Sequence, residues 1–427
     1  RMCNELLENI DRVPDLDPEL KKRYIGEAKV LRAYNYYELY TKFGDIPYTT
    51  KVLSIKESMS IARTAKATVI ANVLADLDEV INGNYLPTSY DADNKGRITR
   101  WAAMAIKAKI YLFEGNWTQV KNITSTIMTE GGFKLFGSYA GLFEIANEYN
   151  SEVILDAQYR PTSREHQMMY VFLPPTLGGY SQLSPLQELV DSYIMLDGKT
   201  IKETGTSFDE SHPYANRDPR LKATVMYTGN SYTLADGTEV VINCEKGEGK
   251  DGYGVGSDCS ATGYYIKKYW DNTYRATLYS GLNPILIRYA DILLMNAEAL
   301  AELGELDKTA WDATIKPIRD RAGFTLASAL EFPEGASKDK LIEIVRNERR
   351  SELALEGHRH KDIIRWRIAD NVLNGWCHGL KTNDVVGTDD GYVRVENRTF
   401  NANKHYLWPI PQAERDLNGN LEQNPNW

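Results

Sequence analysis

Three glutamates at four-residue intervals form the densest cluster of ionisable side chains in this sequence. Glu348, Glu352 and Glu356 lie in the stretch LIEIVRNERRSELALEGHRHKDIIRW, which runs from Leu341 to Trp366. Residues four apart share one face of an α-helix, so the carboxylates are predicted to line one face with arginines beside them. Such a set could act as a glycosidase pair. It could instead be an ion-pair network that fixes two helices at a set angle.

The spacing favours the structural interpretation over the catalytic one. Glu352 and Glu356 project the same way from one helix, whereas the carboxyls of a glycosidase flank the scissile bond. The neighbouring arginines favour the ionised form of both carboxyls, which leaves no general acid. The chain also contains no nucleophile elbow, Walker loop or dinucleotide fingerprint. We therefore predict that the protein is not an enzyme.

Metal and cofactor sites are not predicted either. The loop DADNKG at residues 91–96 has the outline of a calcium loop, but Lys95 occupies a ligand position and Ala102 the twelfth position. His358 and His360 lack a metal-type spacing. We therefore expect neither a bound metal nor a cofactor.

Composition and charge indicate a globular protein with many tyrosines. The 427 residues are 42% hydrophobic and 26% charged, and the net charge of −9 disfavours nucleic acid as a partner. No apolar run approaches the roughly 20 residues of a membrane helix. The four cysteines are scattered, although Cys244 and Cys259 could close a loop. The 27 tyrosines against 10 phenylalanines suit wet binding surfaces, because tyrosine combines a flat apolar face with a polar tip.

Helix pairs are predicted on both sides of a less regular middle region. Residues 99–114 and 117–128 form one pair around a glycine, and residues 289–301 and 307–321 form another. Their spacing approximates the tetratricopeptide unit of about 34 residues. The fold is therefore predicted to be mainly α, with tetratricopeptide-like helix-turn-helix pairs forming a curved scaffold.

The middle region is predicted to be an irregular, loop-rich insert containing short strands. Strand-like runs occur at residues 153–155 and 264–270, and Asp236-Gly237 is a hairpin turn signal. The predicted division is an N-terminal scaffold part at 1–132, a ligand-binding region at 133–285 and a C-terminal scaffold part at 286–427.

Aromatic side chains of the middle region are the predicted ligand-binding groups. Their rings could stack on the C–H faces of sugars while amides, carboxylates and guanidinium groups bind the hydroxyls. Long loops on a rigid scaffold are often functional. The candidates are Tyr180, Tyr253, Trp270 and Tyr274, with Asp271 and Asn272 as polar neighbours and Trp376 from the loop after the charged helices. For each candidate, packing within its own loop is the alternative.

Four stretches of the chain follow the residue patterns of one known family. They are GEAKVLRAYNYYELYTKFGDIPY at 26–48, IRYADILLMNAEALAELG at 287–304, ERRSELALEGHRHKDIIRW at 348–366 and HYLWPIPQAERDLNGNLEQNPNW at 405–427. These closely resemble motifs of the SusD/RagB family, nutrient-binding lipoproteins on the outer surface of Bacteroidota. The stretch at 348–366, for example, resembles the family pattern ERRxELxxEGxRxxDLxRW.

The resemblance implies one SusD-like domain overall and a role in nutrient uptake. It implies non-catalytic capture of an oligosaccharide or polysaccharide at the cell surface and delivery to a SusC-like TonB-dependent outer-membrane transporter. The implied location is the outer membrane, through a lipid anchor that this sequence does not include. Two alternatives stay open: peptide binding of the RagB type, and an assembly scaffold without a small-molecule ligand. Because the chain starts at Arg1 inside a helical pattern, we expect a longer natural N-terminus.

Overall fold

The computed structural model describes every residue from Arg1 to Trp427, and it is mainly helical with only short strands. The predicted fold class is confirmed. The helices are α1 (Met2–Asn9), α2 (Pro18–Phe43), α3 (Ile55–Ser58), α4 (Lys66–Asn82), α5 (Arg100–Phe113), α6 (Trp117–Glu130), α7 (Met168–Phe172), α8 (Gln187–Ser192), α9 (Pro219–Thr224), α10 (Tyr289–Leu303), α11 (Lys308–Ala313), α12 (Ile315–Ala322), α13 (Ala327–Leu330), α14 (Lys338–Glu352), α15 (Arg359–Arg365), α16 (Ala369–Val372) and α17 (Gln412–Leu417).

The strands pair only in antiparallel fashion. They are β1 (Val153–Asp156), β2 (Val225–Met226), β3 (Ser231–Thr233), β4 (Glu239–Val241), β5 (Tyr265–Ile266), β6 (Ile285–Arg288), β7 (Gly375–Lys381), β8 (Thr388–Asp389) and β9 (Tyr392–Arg398). The pairs are β1 with β6, β2 with β5 and β3 with β4, and the order of the three-stranded sheet is β7-β9-β8. The predicted hairpin is confirmed between β3 and β4, where Gly237 has a φ of +83°. The strand expected at 264–270 is shorter and comprises β5 alone.

The chain forms two compact units. Unit 1 comprises Arg1–Gly132, His360–Leu373 and Phe400–Trp427, and unit 2 comprises Phe133–Arg359 and Asn374–Thr399. The division expected from sequence, at 1–132, 133–285 and 286–427, stays a prediction. None of the helices combines the length and the apolar character needed to cross a membrane.

Unit 1 is organised by α2, whose ends follow from local chemistry. The Asp17 side chain caps the helix by accepting a hydrogen bond from the Leu20 amide at 2.8 Å, and Pro18 occupies the first turn. Within the helix, Gly26 is buried, and a Cβ there would lie 2.9 Å from the Tyr85 Cβ. A glycine at this position therefore allows the chain around Tyr85 to approach closely. The helix packs on α4, which packs in turn on α5.

Unit 2 surrounds a core that is rich in tyrosine. Strand β6 leads directly into α10, which is buried along most of its length and packs on α14. A separate core cluster holds the rings of Tyr193, Tyr232, Tyr264 and Tyr265, none of them more than 2% exposed. Many tyrosines of the chain therefore act as interior packing groups, and only those that reach the surface are available for a ligand.

Candidate functional site

The three glutamates of the charged helix are buried in an ion-pair network within unit 2. Glu348 and Glu352 lie on α14, and Glu356 follows it in the chain. Their partners include side chains from other elements of unit 2, so the network extends beyond the two adjacent helices. Its members are Glu152, Asp218, Arg220, Lys268, Arg288, Arg319, Arg321, Glu348, Glu352 and Glu356.

Glu352 is the central carboxylate of the ion-pair network and is 0% exposed. Its oxygens accept hydrogen bonds from Arg288 Nη1 at 2.6 Å and Arg220 Nη1 at 2.8 Å, and Arg321 also pairs with it. Burial alone would raise the pKa of Glu352, but the guanidinium groups of Arg321, Arg288 and Arg220 hold it well below its ordinary value. The carboxylate therefore stays ionised and has no proton to donate.

Glu356 is held in the same way at the edge of the ion-pair network. It accepts from Arg288 Nη2 and from Lys268 Nζ, both at 2.7 Å. Burial opposes its charge, but Arg288 and Lys268 lower the pKa of Glu356 to about 2. Burial lowers the pKa of Lys268 to about 8, although Glu356 opposes that shift. Two carboxylates that are both ionised and both engaged by cations hold the frame of unit 2 together and lack the acid of a glycosidase.

Tyr180 lies on an exposed aromatic surface with two tyrosines that the sequence did not single out. Its ring stacks on Tyr170, with centroids 4.3 Å apart and planes inclined by 30°. Tyr279 accepts a hydrogen bond from Gln167 Nε2 at 2.8 Å through its hydroxyl. Tyr180 is 40% exposed and Tyr279 is 43% exposed. We call Tyr170, Tyr180, Tyr279 and Gln167 the tyrosine surface.

Glycine geometry and a β-bridge position these rings. The Tyr180 amide donates to the Tyr170 carbonyl at 2.9 Å, which closes the loop after α7. Gly179 makes this closure possible, because a Cβ there would lie 2.1 Å from the Leu173 carbonyl oxygen. The bridge between His166 and the residue after Tyr279 places that ring beside the start of α7.

The other two tyrosines of the tyrosine surface influence the hydroxyl of Tyr170. A hydrogen bond with the Tyr180 side chain raises the pKa of Tyr170, and the charges of Tyr180 and Tyr279 add to this effect. The Tyr170 hydroxyl therefore stays protonated and can donate as well as accept at neutral pH. Flat faces with hydroxyls and an amide at their edges can hold a sugar ring by stacking and by hydrogen bonds.

The candidates from Trp270 to Tyr274 lie together in one loop but are held mainly by the protein itself. Trp270 Nε1 and Asn272 Nδ2 donate to the same carbonyl, that of Thr233, at 3.2 and 2.8 Å. Asp271 is buried and accepts the Ile145 amide at 2.7 Å. Tyr274 is buried within the tyrosine-rich core. These contacts fit the packing alternative for the four residues, and a ligand role for them stays a prediction.

The last two candidates lie apart from this loop in the chain. Tyr253 is half-buried against the core, and its amide donates to the Cys244 carbonyl at 3.1 Å. Trp376 lies on β7 and is 42% exposed, with the Arg394 guanidinium 5.6 Å from its ring centroid. The structure records no contact between either ring and Tyr180.

The calcium-like loop, the possible metal ligands and the cysteine pair that the sequence suggested were checked by their contacts in the structure. Asp91 Oδ1 accepts hydrogen bonds from the Asn94 amide and side chain at 3.0 and 2.9 Å, which forms a turn at the calcium-like loop. No cluster of histidine, cysteine and carboxylate side chains in the structure could hold a metal ion. Cys244 and Cys259, which could have closed a loop, are both free thiols.

The sequence and fold of this chain match a known protein family. Residues 142–427 match the family model described as SusD family, and residues 1–112 match one described as starch-binding associating with outer membrane. The first match spans more than half of the chain, so the chain belongs to the SusD family, and the resemblance seen in the sequence is confirmed.

Individual relatives agree with this assignment. SusD-like protein P25 of Formosa agariphila is 28% identical over 87% of this chain and 69% of its own length. A solved SusD-like carbohydrate binding protein from Bacteroides fragilis is 30% identical, covers 98% of this chain and 83% of its own, and superposes with a TM-score of 0.87. A laminarin binding SusD-like protein is 24% identical over 100% of this chain and 83% of its own, with a TM-score of 0.68, and shows the fold alone.

Proposed function

We propose that this protein captures an oligosaccharide or polysaccharide at the outer surface of the cell, without cleaving it, and delivers it to a TonB-dependent outer-membrane transporter. A lipid anchor would hold the protein at the outer membrane. Membership of the SusD family, with its carbohydrate-binding relative, supports the ligand class. The description of the N-terminal match supports the location.

The observation that carries the proposal is the tyrosine surface. Tyr170 and Tyr180 form a stacked pair, and Tyr279 adds a ring that Gln167 holds through its hydroxyl. Such rings are large and rigid and lose little conformational entropy on binding. A shallow aromatic surface suits a chain of sugars that must be released again to a transporter.

The state of the buried carboxylates supports a role without bond cleavage. Glu352 and Glu356 are the glutamates whose spacing raised the possibility of glycosidase chemistry, and arginines keep both ionised. Retaining and inverting glycosidases alike need one carboxyl that is protonated and can donate to the leaving group. We therefore expect the bound glycan to be recovered intact.

Affinity gel electrophoresis in a series of neutral polysaccharides, including laminarin and starch, tests the proposal. We expect at least one polysaccharide to retard the wild-type chain and to retard Tyr180→Ala less. Trp427→Ala is a matched control, because that ring is exposed to a similar extent, 41%, and lies in unit 1. Retardation by none of the polysaccharides, together with capture of peptides, would contradict the proposal and favour a peptide ligand.

Two further measurements address cleavage and handover. Chromatography of the glycan after incubation should show no shortened products. Copurification from outer membranes of the native host should recover a TonB-dependent transporter with the protein. A protein that binds glycan but recovers no transporter would contradict the delivery step alone.

A further inference from the structure

A groove of about 830 Å³ lies in unit 2 and shares no residue with the tyrosine surface. Its walls come from α8, from β7 and the loop that follows it, and from the segment around Tyr214 and Tyr227. Pockets for small ligands occupy about 300–1,000 Å³, so the groove has room for a short oligosaccharide.

One wall of the groove carries a chain of hydrogen bonds between side chains. The hydroxyls of Tyr214 and Tyr264 lie 3.2 Å apart, and the Tyr264 hydroxyl donates to Gln187 Oε1 at 2.5 Å. Gln187 Nε2 then donates to Asp191 Oδ1 at 2.7 Å. Tyr264 and Gln187 are buried, so these polar groups are fixed before a ligand arrives. The second carboxylate oxygen of Asp191 accepts no hydrogen bond from the protein and can accept one from a ligand hydroxyl.

A second wall is aromatic. The rings of Tyr214 and Tyr227 stack with centroids 4.0 Å apart and planes inclined by 17°, and both rings are half-buried along the groove. Phe208 lines the same groove and packs beneath the Arg217 guanidinium, whose carbon lies 5.5 Å from the ring centroid. Rigid rings that stand beside fixed hydrogen-bonding groups suit a ligand with both apolar faces and hydroxyls.

The cations of the groove are already engaged. Lys246 pairs with Asp384, and Lys381 pairs with Glu210. Arg217 donates to the carbonyls of Pro213 and Val190 at 2.7 Å and of Tyr193 at 2.8 Å. His212 Nδ1 lies 2.8 Å from Asp209 Oδ2. An anionic ligand would have to break these contacts, and Asp191 would repel it.

We propose that this groove is a second saccharide-binding site, which takes a neutral sugar or a short neutral oligosaccharide. Asp191 accepts a sugar hydroxyl, and Tyr227 stacks on a sugar face. The inference does not depend on the tyrosine surface being the main site. Two separate sites on one chain would bind a polysaccharide with greater avidity than either site alone.

The test uses the full chain with its tyrosine surface disabled by Tyr180→Ala and Tyr279→Ala. This double variant is applied to a glycan array that carries neutral glycans, anionic glycans with uronate or sulfate groups, and amine-bearing glycans. We expect it to retain binding to at least one neutral glycan. Adding Asp191→Asn should weaken that binding by about tenfold, the order expected for a lost hydrogen bond to a charged group.

Tyr227→Ala is the second groove variant, and Tyr227→Phe is its control because it keeps the ring. We expect Tyr227→Ala to weaken binding and Tyr227→Phe to leave it nearly unchanged, with all variants melting at a similar temperature. The inference is overturned if the double variant binds no glycan, binds only charged ones, or is unaffected by the groove substitutions. Wild-type binding that depends on Tyr227 but not on Tyr180 would overturn the tyrosine surface and leave the groove standing.

Discussion

Substitution of Glu352 by glutamine tests the ion-pair network at its centre. Glutamine keeps the volume of the side chain but removes the negative charge that faces Arg220, Arg288 and Arg321. Removing one partner of a buried ion pair costs about 3–5 kcal/mol, because the remaining charge is left uncompensated. For domains of this size class a change of 1 kcal/mol moves Tm by about 2–4 °C, so we expect a fall of roughly 10 °C.

The assay is thermal unfolding followed by circular dichroism, with Glu331→Gln as the matched control. Glu331 pairs with Lys316 at 2.7 Å, but its side chain is 47% exposed, so this substitution should leave Tm unchanged. If Glu352→Gln lowered Tm no more than Glu331→Gln does, the ion-pair network would not be the element that holds unit 2 together.

The same network sets the response of the protein to acid. The folded pKa of Glu352 and of Glu356 lies below the unfolded value, which is near 4.3 for glutamate. Their stabilisation is therefore fully present above that pH and is lost as pH falls through the folded values. Wild-type stability measured in urea should fall between about pH 4 and pH 2. Glu352→Gln should show a shallower fall, and an identical slope would contradict the assignment.

Three other substitutions test a glycine contact, a histidine ion pair and the packing of Trp270. Gly179→Ala forces a Cβ against the Leu173 carbonyl oxygen and should displace the tyrosine surface, so affinity electrophoresis should show reduced glycan retardation; unchanged retardation would refute this geometry. His378 lies between two carboxylates, and although burial opposes its charge, its hydrogen bonds raise its pKa. The ion pairs of His378 therefore stabilise the fold fully below the unfolded pKa of histidine, near 6.5, and this stabilisation is lost as pH rises through the higher folded pKa. In wild type the free energy of unfolding in urea should fall above about pH 6.5, and His378→Gln should flatten that fall. Trp270→Ala removes a hydrogen bond to the Thr233 carbonyl and should lower Tm. Titration of the same variant tests the predicted ligand role of the Trp270 ring, which requires a selective loss of glycan affinity.

Local signals in the sequence predicted the helical part of the fold well. Asp17 and Pro18 mark the start of α2, and both act there as their chemistry requires. The turn at Gly237 lies between β3 and β4 as expected, because a two-residue signal of this kind depends on few distant contacts. Such features are encoded within a few neighbouring residues.

The partners of the charged helix could not be read from the sequence. Glu352 pairs with Arg220, which is 132 positions away, and with Arg288, which is 64 positions away. The sequence indicated that partners must exist because buried charges need them, but it gave no means of choosing among the many arginines.

The sequence predicted only Tyr180 of the tyrosine surface, because its other members come from separate parts of the chain. Tyr180 was a candidate because it lies in a long loop. Tyr170 lies in the short apolar helix α7, and nothing in the sequence distinguishes it from a packing residue. Tyr279 joins them through the bridge between His166 and Ser280 and through the hydrogen bond from Gln167. Conversely, Tyr274 looked available in the sequence but is buried. Exposure depends on tertiary packing, which a count of tyrosines does not reveal.

The most direct test of glycan capture is a calorimetric titration of a neutral oligosaccharide selected on the wild-type chain. The titration compares wild type with Tyr180→Ala/Tyr279→Ala, and Tm is recorded for each sample. We predict an affinity at least about fivefold weaker in the double variant with Tm unchanged, since each of the two aromatic contacts contributes about 0.5–1.5 kcal/mol. An affinity equal to that of the wild type would contradict the account, because the exposed tyrosines would then not be the surface that captures the glycan.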